Sequence, residues 1–329
     1  MDKETAQFLL RGILAVTIEG FKLTSEPSFR LRGSDVVCGS VVEGKFRNIP
    51  ACFEIIFLEE ESGQQEATIP QALSGYQCGP VRTPLVLAKG GCSGYTWTVT
   101  EKVFGEHLIG DSYPKTNRAK KLEMAKAFWL MNENWPQLLE EQRLPRDHDP
   151  LLWFSDKINQ WTEIGARYEI FDRGLLLTRE ILRGYGRIRE ITNSIDFNMR
   201  FTHSHFCDKE LRKDAQGIYW LTDFGATSWR PELYDAAFCV WHILMHSWSL
   251  SQKKFLDEVQ EWENAFVGTT VKDARNRVRP KFRACMIERC VGAICADIAE
   301  KRGIVATLSQ KDGDKLLANW RRLLEWLVS

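Results

Sequence analysis

The sequence lacks the features that would assign it to several large classes of protein. Lysine plus arginine and aspartate plus glutamate number 44 each, so no net charge attracts the chain to nucleic acid or to an anionic membrane surface. No apolar run approaches the roughly 18 residues of a membrane span, and the N-terminal MDKETAQFLL does not read as a secretory signal. We therefore expect neither a nucleic-acid partner nor a membrane partner.

Paired cysteine motifs are also missing. The nine cysteines are an odd number, and no two of them have CxxC spacing. Such scattered cysteines are typical of buried, reduced thiols and argue against a disulfide framework. The sequence therefore predicts a cytoplasmic protein, without internal repeats or low-complexity linkers.

What the chain does contain is enough apolar sequence for a large core, since 44% of its 329 residues are hydrophobic. A helix is expected over 3–16, followed by a strand meander over 21–60 with turns at Gly33 and Ser34 and at Glu43 and Gly44. The later sequence has mostly helical periodicity, with helices expected over 272–301 and 310–328 and an exposed connection over 137–150. The basic run over 272–283 predicts a solvated face, with a phosphate or protein partner as the alternative. Strands followed by helices predict an α+β fold.

Residues 201–237, FTHSHFCDKELRKDAQGIYWLTDFGATSWRPELYDAA, form the most informative stretch. They predict a loop with His203 and His205, a short strand over 218–222, a sharp turn at Asp223, and a helix that contains Asp235. About 100 residues earlier, 100–108 reads TEKVFGEHL.

This order of motifs resembles the aminoglycoside phosphotransferases and choline kinases, the small-molecule branch of the protein-kinase-like fold. The family pattern is His-Gly-Asp-x-x-x-x-Asn, a strand, Ile-Asp-Phe or Ile-Asp-Trp, and then Tyr-Asp-Leu-Ala. The earlier TEKVFGEHL is similar to the family's Met-Glu-x-x-x-Gly-x-x-Leu segment between the lobes. The resemblance covers about 21–244 and implies a two-lobed fold, with an N-terminal lobe over 1–103 and a helical lobe over 104–329.

The resemblance implies that ATP, or another nucleoside triphosphate, binds between the lobes with Mg²⁺. The nucleotide would contact the backbone of Glu101 and Val103, and a turn with Gly33 and Ser34 would cover its phosphates. An ordinary hairpin turn is the alternative for that glycine and serine. A helix expected over 64–73 would carry Glu66, the family glutamate that orients a phosphate-binding lysine.

Two acidic residues match the family's metal ligands. Asp223 follows the apolar strand where the family carboxylate binds Mg²⁺, a cation that prefers oxygen ligands. Glu210 replaces the family's asparagine and also offers an oxygen. The alternatives are an aspartate that caps the turn at Asp223 and a solvated loop glutamate at Glu210.

The chain departs from the family at the catalytic aspartate, where it has His205. A neutral imidazole accepts a hydrogen bond from an acceptor hydroxyl and titrates near neutral pH. Because loss of a general base typically costs about 10² to 10⁴ in rate, the change would slow a kinase without abolishing its activity. Asp208 is a second candidate base if the loop is remodelled.

A second departure concerns charge. Aligning ACFEIIF with the family's lysine-bearing strand puts Glu54 in place of the lysine. Two carboxylates, Glu54 and Glu66, would then meet, which turns roughly 4 kcal/mol of attraction into repulsion at about 4 Å and a dielectric near 20. Either Glu54 points elsewhere, or one of three other cations takes over, or triphosphate binding is weak. Those cations are Arg32, Lys45 and Arg47.

Two functions therefore stay open. The first is an atypical or impaired ATP-dependent phosphotransferase acting on a small hydroxylated or amino-bearing molecule. The second is an inactive pseudokinase that binds a ligand or a protein partner.

Zinc ligation is an alternative use of the same loop, because an extended strand would place His203, His205 and Cys207 on one face. His242 and His246, one helical turn apart, are a further possible metal pair, but the sequence favours core packing for them.

Overall fold

The computed structural model describes residues 3–17, 19–32, 36–57, 73–92, 94–109, 116–140, 149–168, 175–224, 226–270 and 272–329. The chain forms two compact units. The first comprises Met1–Glu106 together with Glu210–Thr227, and the second comprises His107–Lys209 and Ser228–Ser329.

The first unit is built on a six-stranded antiparallel sheet with the order β1-β3-β4-β8-β7, to which β2 adds by pairing with β3. Helix α1 (Lys3–Thr17) contributes Ala6 and Leu10 to a core that also contains Phe53 and Ile55. The strands are β1 (Phe21–Leu23), β2 (Ser28–Arg32), β3 (Val36–Phe46), β4 (Ile49–Phe57), β7 (Val86–Cys92) and β8 (Tyr95–Glu101).

The turn between β3 and β4 lies later in the sequence than predicted. The chain reverses at Arg47 and Asn48, which have φ values of 49° and 70°, as a two-residue hairpin with positive φ at both central positions requires. Gly44 lies inside β3, where an added Cβ would come within 2.4 Å of the Lys22 carbonyl oxygen on β1. The glycine therefore permits close strand approach and does not make a turn.

A smaller five-stranded sheet has the order β5-β6-β12-β11-β9. Strand β12 runs antiparallel to β11 and parallel to β6. The strand predicted over 218–222 is therefore present as β12. The bounds are β5 (Gln77–Cys78), β6 (Val81–Arg82), β9 (Glu106–His107), β11 (Leu211–Lys213) and β12 (Tyr219–Leu221).

In the described residues of the second unit, helices predominate, and β10 (Met199–Thr202) pairs antiparallel with β13 (Ser228–Pro231). This distribution of strands and helices confirms the predicted α+β class. Across the described residues, no helix combines the length and the apolar character that crossing a membrane would require. The helices are α2 (Arg118–Glu140), α3 (Pro150–Arg167), α4 (Leu175–Ser194), α5 (Tyr234–Met245), α6 (Gln252–Gly268), α7 (Arg275–Gly292) and α8 (Gln310–Val328).

Helix boundaries differ from the prediction in two places. The single helix expected over 272–301 is a short 3₁₀ turn, then α7, then a π-helical segment over Ala293–Ile298. The connection expected over 137–150 ends at an unpredicted helix, α3, whose start is fixed by Asp149, since its carboxylate accepts the Leu151 N–H at 2.8 Å. The helix expected over 64–73 lies, up to residue 72, outside the described residues.

Candidate functional site

The open end of the β11–β12 hairpin places two carboxylates side by side in the first unit. The Thr222 backbone N–H donates to the Glu210 carbonyl at 2.9 Å, and the Thr222 hydroxyl donates to Glu210 Oε2 at 3.2 Å. Asp223 follows directly, and carboxylate oxygens of Glu210 and Asp223 lie within 4.8 Å of each other. Both side chains are half-buried, so solvent and ions can reach them.

The backbone at Asp223 has an uncommon conformation. Its φ is 57°, in the left-handed region that aspartate tolerates better than most non-glycine residues. The next residue, Phe224, is buried, and its carbonyl accepts both the Thr227 N–H at 3.1 Å and the Thr227 hydroxyl at 2.6 Å. The surrounding turn thus stabilises a conformation that often marks functional positions.

This pair of carboxylates has the donor chemistry of a magnesium site. Two carboxylates at this separation repel each other by roughly 3.5 kcal/mol at a dielectric near 20, and a cation between them would reverse the sign of that interaction. Oxygen-only donors suit Mg²⁺ better than a softer metal. Glu210 and Asp223 therefore fit the ion that the sequence motifs imply.

Asp214, at the other end of the hairpin, is an acidic residue with a different role. Its carboxylate accepts the Trp220 indole N–H and the backbone N–H groups of Gln216 and Ile218, each at 2.9 Å. Those hydrogen bonds, the indole first, lower the pKa of Asp214. It is a structural residue of the turn.

His205 belongs to the loop that follows β10 in the second unit. The loop backbone is fixed by Asp235 on α5, whose Oδ2 accepts the His203 N–H at 2.9 Å. Ser204, with φ of 62°, bonds the Ser228 hydroxyl at 2.9 Å. His205 itself is half-buried, with its ring centroid 5.0 Å from that of Phe238.

Asp235 is buried, and burial raises the pKa of its carboxyl to about 7. Hydrogen bonds from the backbone N–H groups of Ser204 and His203 act in the opposite direction, as do the charges of Arg230 and His205. The carboxyl therefore titrates near neutral pH.

The structure does not gather His203, His205 and Cys207 as a metal site in the part of the chain that it describes. Instead, Cys207 and Asp208 lie against His242 on α5, with one ligand atom of each within 4.8 Å of the others. Sequence reasoning missed this group, although the CxxHxxxH spacing of Cys239, His242 and His246 on one helix was visible.

No family model matches the chain, and no curated protein sequence matches it. Solved structures do. The Plasmodium vivax ethanolamine kinase has a TM-score of 0.60 at 12% identity, over 97% of this chain and 89% of that one.

Two aminoglycoside phosphotransferases give a similar result. Aminoglycoside 2′-phosphotransferase IIIa, in its GDP complex, has a TM-score of 0.61 at 15% identity, covering 96% of this chain and 98% of that one. A thermostable mutant of another aminoglycoside phosphotransferase, bound to ADP and hygromycin B, has a TM-score of 0.57 at 10% identity, covering 96% and 99%. This chain has the kinase-like phosphotransferase fold. At such low identity the likeness shows the fold alone and does not identify the reaction.

Glu54 lies on β4, the strand that the sequence alignment matches to the family's lysine-bearing strand. Strand register places Glu54 opposite Val41 on β3 and Thr98 on β8, whereas Phe53 and Ile55 point into the core beside α1. Glu54 therefore lies on the sheet face opposite α1. Burial first, and then the charge of Glu43, raises the pKa of the Cys52 thiol on that face, and Glu54 adds to the effect.

The three cations proposed from sequence to replace the lysine differ in position from Glu54. Lys45 is opposite Pro50, four residues along β4, or roughly 13 Å at the rise of a strand. The Arg47 guanidinium stacks over the Phe46 ring at 5.1 Å, in the turn. The Arg32 side chain lies outside what the structure describes.

A fourth cation was missed. Lys89 on β7 is opposite Thr98, which is itself opposite Glu54, so all three side chains share one sheet face. Two strand spacings separate the Cα atoms of Lys89 and Glu54, about 10 Å. Lys102, which follows β8, is paired with Glu43 at 2.6 Å.

The remaining predicted contacts are the nucleotide-binding ones. Glu101 ends β8; its N–H donates to the Leu85 carbonyl at 2.9 Å, and its Oε1 accepts the Leu85 N–H at 2.8 Å. Val103 is half-buried in the segment that follows. The other three predicted contacts, Gly33, Ser34 and Glu66, lie outside the described residues.

Proposed function

We propose that the protein binds a nucleoside triphosphate with Mg²⁺ and transfers the terminal phosphoryl group to a small molecule that carries hydroxyl and amino groups. The observation that carries the proposal is the proximity of the Glu210 and Asp223 carboxylates, within 4.8 Å, at the open end of the β11–β12 hairpin. These two residues would hold the ion. When bound, Mg²⁺ would neutralise charge that develops on the phosphates.

The residues around the carboxylates would keep them oriented before the nucleotide binds. Thr222 fixes Glu210 through both a backbone and a side-chain hydrogen bond. The turn at Asp223 is held by the Thr227 bonds to the Phe224 carbonyl. Such preorganisation is where a protein contributes most to phosphoryl transfer, because the reaction requires little covalent chemistry from it.

ATP is the nucleotide we propose. The neighbouring folds were solved with ADP and with GDP, which supports a nucleotide as ligand without selecting the base. The contacts expected from the sequence, Glu101 and Val103 with Gly33, Ser34 and Glu66, stay predictions.

Lys89 is the residue we propose for the positive charge that Glu54 does not supply. Its place on the same sheet face as Glu54 supports this role. A cation there would offset the carboxylate and offer a charge-assisted hydrogen bond to a phosphate oxygen.

His205 would accept the proton of the acceptor hydroxyl. In its neutral form the imidazole has one nitrogen that accepts a hydrogen bond. If it acts as the base, His205→Ala lowers kcat by about 10² to 10⁴ and leaves nucleotide affinity within a few-fold of wild type. His107→Ala is the matched control, because that ring instead contacts the Asp208 carbonyl at 3.1 Å. Equal losses of kcat in the two variants would exclude a specific role for His205.

The second candidate is a non-catalytic binding module, and Glu54 is the observation that favours it. A carboxylate in the family lysine's position repels phosphates. If Lys89 does not compensate, the fold would hold a ligand or a protein partner without turnover.

The experiment that separates the candidates is ADP release by the full chain with ATP and Mg²⁺. Ethanolamine, hygromycin B and spectinomycin serve as acceptors, because these molecules are named for the neighbouring folds. Acceptor-dependent ADP release that Asp223→Asn abolishes supports the transferase. Nucleotide binding without ADP release for any acceptor supports the binding module. If no nucleotide binds at millimolar concentration, the proposed magnesium site and the proposed nucleotide site are both contradicted. The cytoplasmic location stays a prediction.

A further inference from the structure

A group of metal-binding residues lies in the second unit, away from the carboxylates discussed above. Cys207 and Asp208 are adjacent in the loop after β10, and His242 is on α5. One ligand atom from each lies within 4.8 Å of the other two, and His242 Nδ1 is 3.4 Å from Asp208 Oδ1. Cys207 and Asp208 are buried, at 1% and 2% exposure.

Two more residues of the same kind are Cys239, on α5, and His246, the residue that caps the C-terminal end of that helix. Cys239, His242 and His246 are spaced i, i+3, i+7, which places them on one face of the helix. The His242 and His246 ring centroids are 5.1 Å apart. Burial first, and then the neighbouring Asp208 and Cys207, raises the pKa of the Cys239 thiol, so this residue also faces the group.

The donor set selects the class of metal. Sulfur and imidazole nitrogen beside one carboxylate oxygen are ligands for Zn²⁺, whereas Mg²⁺ and Ca²⁺ prefer oxygen alone. Tetrahedral zinc with bonds of about 2.0 to 2.3 Å keeps its ligand atoms roughly 3.3 to 3.8 Å apart. Shifts of about 1 Å in the side-chain ligand atoms would therefore bring them to zinc-binding distances.

We propose that Cys207, Asp208 and His242 bind a structural zinc ion that fastens the loop after β10 to α5. The fourth ligand would come from the same helix face, from Cys239 or His246. The alternative is a hydrogen-bonded Asp208–His242 pair among buried thiols. This site is independent of the proposed phosphotransfer, since a zinc ion there would brace the loop of His205 whether or not the protein turns over.

Zinc content and cobalt substitution of the wild-type full chain test the proposal without mutation. Protein purified from zinc-supplemented medium should carry one zinc per chain. Replacement by Co²⁺ should give a thiolate-to-cobalt charge-transfer band together with the strong visible bands of tetrahedral cobalt. Substoichiometric zinc, or cobalt without the charge-transfer band, would overturn the proposal.

Variants then assign the ligands. Cys207→Ser and His242→Ala should each weaken zinc affinity by about 100-fold or more in competition with a chromophoric chelator. Cys290→Ser, a buried cysteine on α7, is the matched control and should retain both the zinc and the band. Asp223→Asn should also retain the band, because its carboxylate site has no sulfur ligand. An unchanged band in Cys207→Ser would exclude the proposed site.

Discussion

At the residue scale, the proposed triphosphate site requires a positive charge near Glu54, and Lys89 is the residue proposed to supply it. Lys89→Gln should weaken nucleotide binding roughly 10- to 100-fold, because a hydrogen bond to a charged group contributes about 1.5 to 3 kcal/mol. Lys45→Gln removes the same charge from a residue four positions along the hairpin from Glu54 and should change affinity little. Titration calorimetry with ATP and Mg²⁺ measures both. Equal effects of the two variants would remove Lys89 from the site.

Asp235 gives a prediction about pH. Its folded pKa of about 7 lies above the ordinary value of 3.8, so the folded state binds the proton more tightly than the unfolded state. The stabilisation from this group is complete below pH 3.8 and is lost as the pH rises to 7, at up to about 1.4 kcal/mol per pH unit.

Asp235→Asn tests this sign, since the amide keeps an acceptor for the His203 N–H but does not titrate. The difference in unfolding free energy between variant and wild type, measured by urea denaturation, should shift in favour of the variant as the pH rises from 4 to 7. A difference that stays constant over this range would show that Asp235 titrates alike in both states.

Single residues differ in how far the sequence predicts them. Asp223 and Glu210 could be found from motif spacing, because the hairpin that joins them is local in the chain. Lys89 could not, since only the register of β7 on β8 puts it on the face of Glu54. The Cys207, Asp208 and His242 group joins a loop to a helix more than thirty residues away, so residue spacing within the loop could not indicate it.

At the scale of elements, α7 carries a buried ion pair. Glu288 is fully buried and accepts the Arg289 guanidinium N–H groups at 2.7 and 2.5 Å and the Trp161 indole N–H at 2.7 Å. Glu288→Ala would leave the buried Arg289 charge uncompensated and should lower the unfolding free energy by about 3 to 5 kcal/mol.

The control for that variant is Glu190→Ala, which removes an exposed partner of Arg187 and should cost less than about 1 kcal/mol. Guanidinium chloride denaturation reports both values. A loss at Glu288 as small as that at Glu190 would mean that water reaches Arg289.

The predictability of elements follows from how local their signals are. The start of α1 and the extent of α8 agree with the sequence because their signals are local. Both helices have an amphipathic pattern, and α8 also has a cap at Ser309, whose hydroxyl accepts the Asp312 N–H. Helix α3 begins with an aspartate followed by a proline, which is a local signal for a helix start. The predicted connection over 137–150 contains both residues and so misses the helix. The turn predicted at Gly44 is wrong for the opposite reason. Glycine is required there by the close approach of β1, a strand that is distant in the sequence.

At the scale of the whole molecule, the chain returns to its first unit after more than 100 residues. Glu210–Thr227 belongs with Met1–Glu106. The predicted division into 1–103 and 104–329 places Glu210–Thr227 in the second part, because it assumes that each unit is one continuous segment. Strand β12 pairs with β6, and that pairing supports the hairpin whose open end carries Glu210 and Asp223.

Long-range packing also changes the meaning of the basic run over 272–283. Arg279 and Arg283 both pair with the buried Glu263, at 3.2 and 2.7 Å, and Lys281 pairs with Glu232. These ion pairs therefore neutralise much of the positive charge of the run within the second unit. The sequence suggested a solvated face because the partners lie outside the run.

The central claim is that Glu210 and Asp223 hold the Mg²⁺ that a nucleotide requires. The most direct test is the magnesium dependence of nucleotide binding. Titration calorimetry of the full chain with ATP should show binding with Mg²⁺ that weakens strongly when EDTA is present.

The Asp223→Asn variant should weaken the magnesium-dependent binding by about 10-fold or more, since it removes one of the charged oxygen ligands. Asp214→Asn makes the same charge change at the opposite end of the hairpin and should retain wild-type affinity. ATP affinity that is equal with Mg²⁺ and with EDTA, and unchanged by Asp223→Asn, would contradict the account.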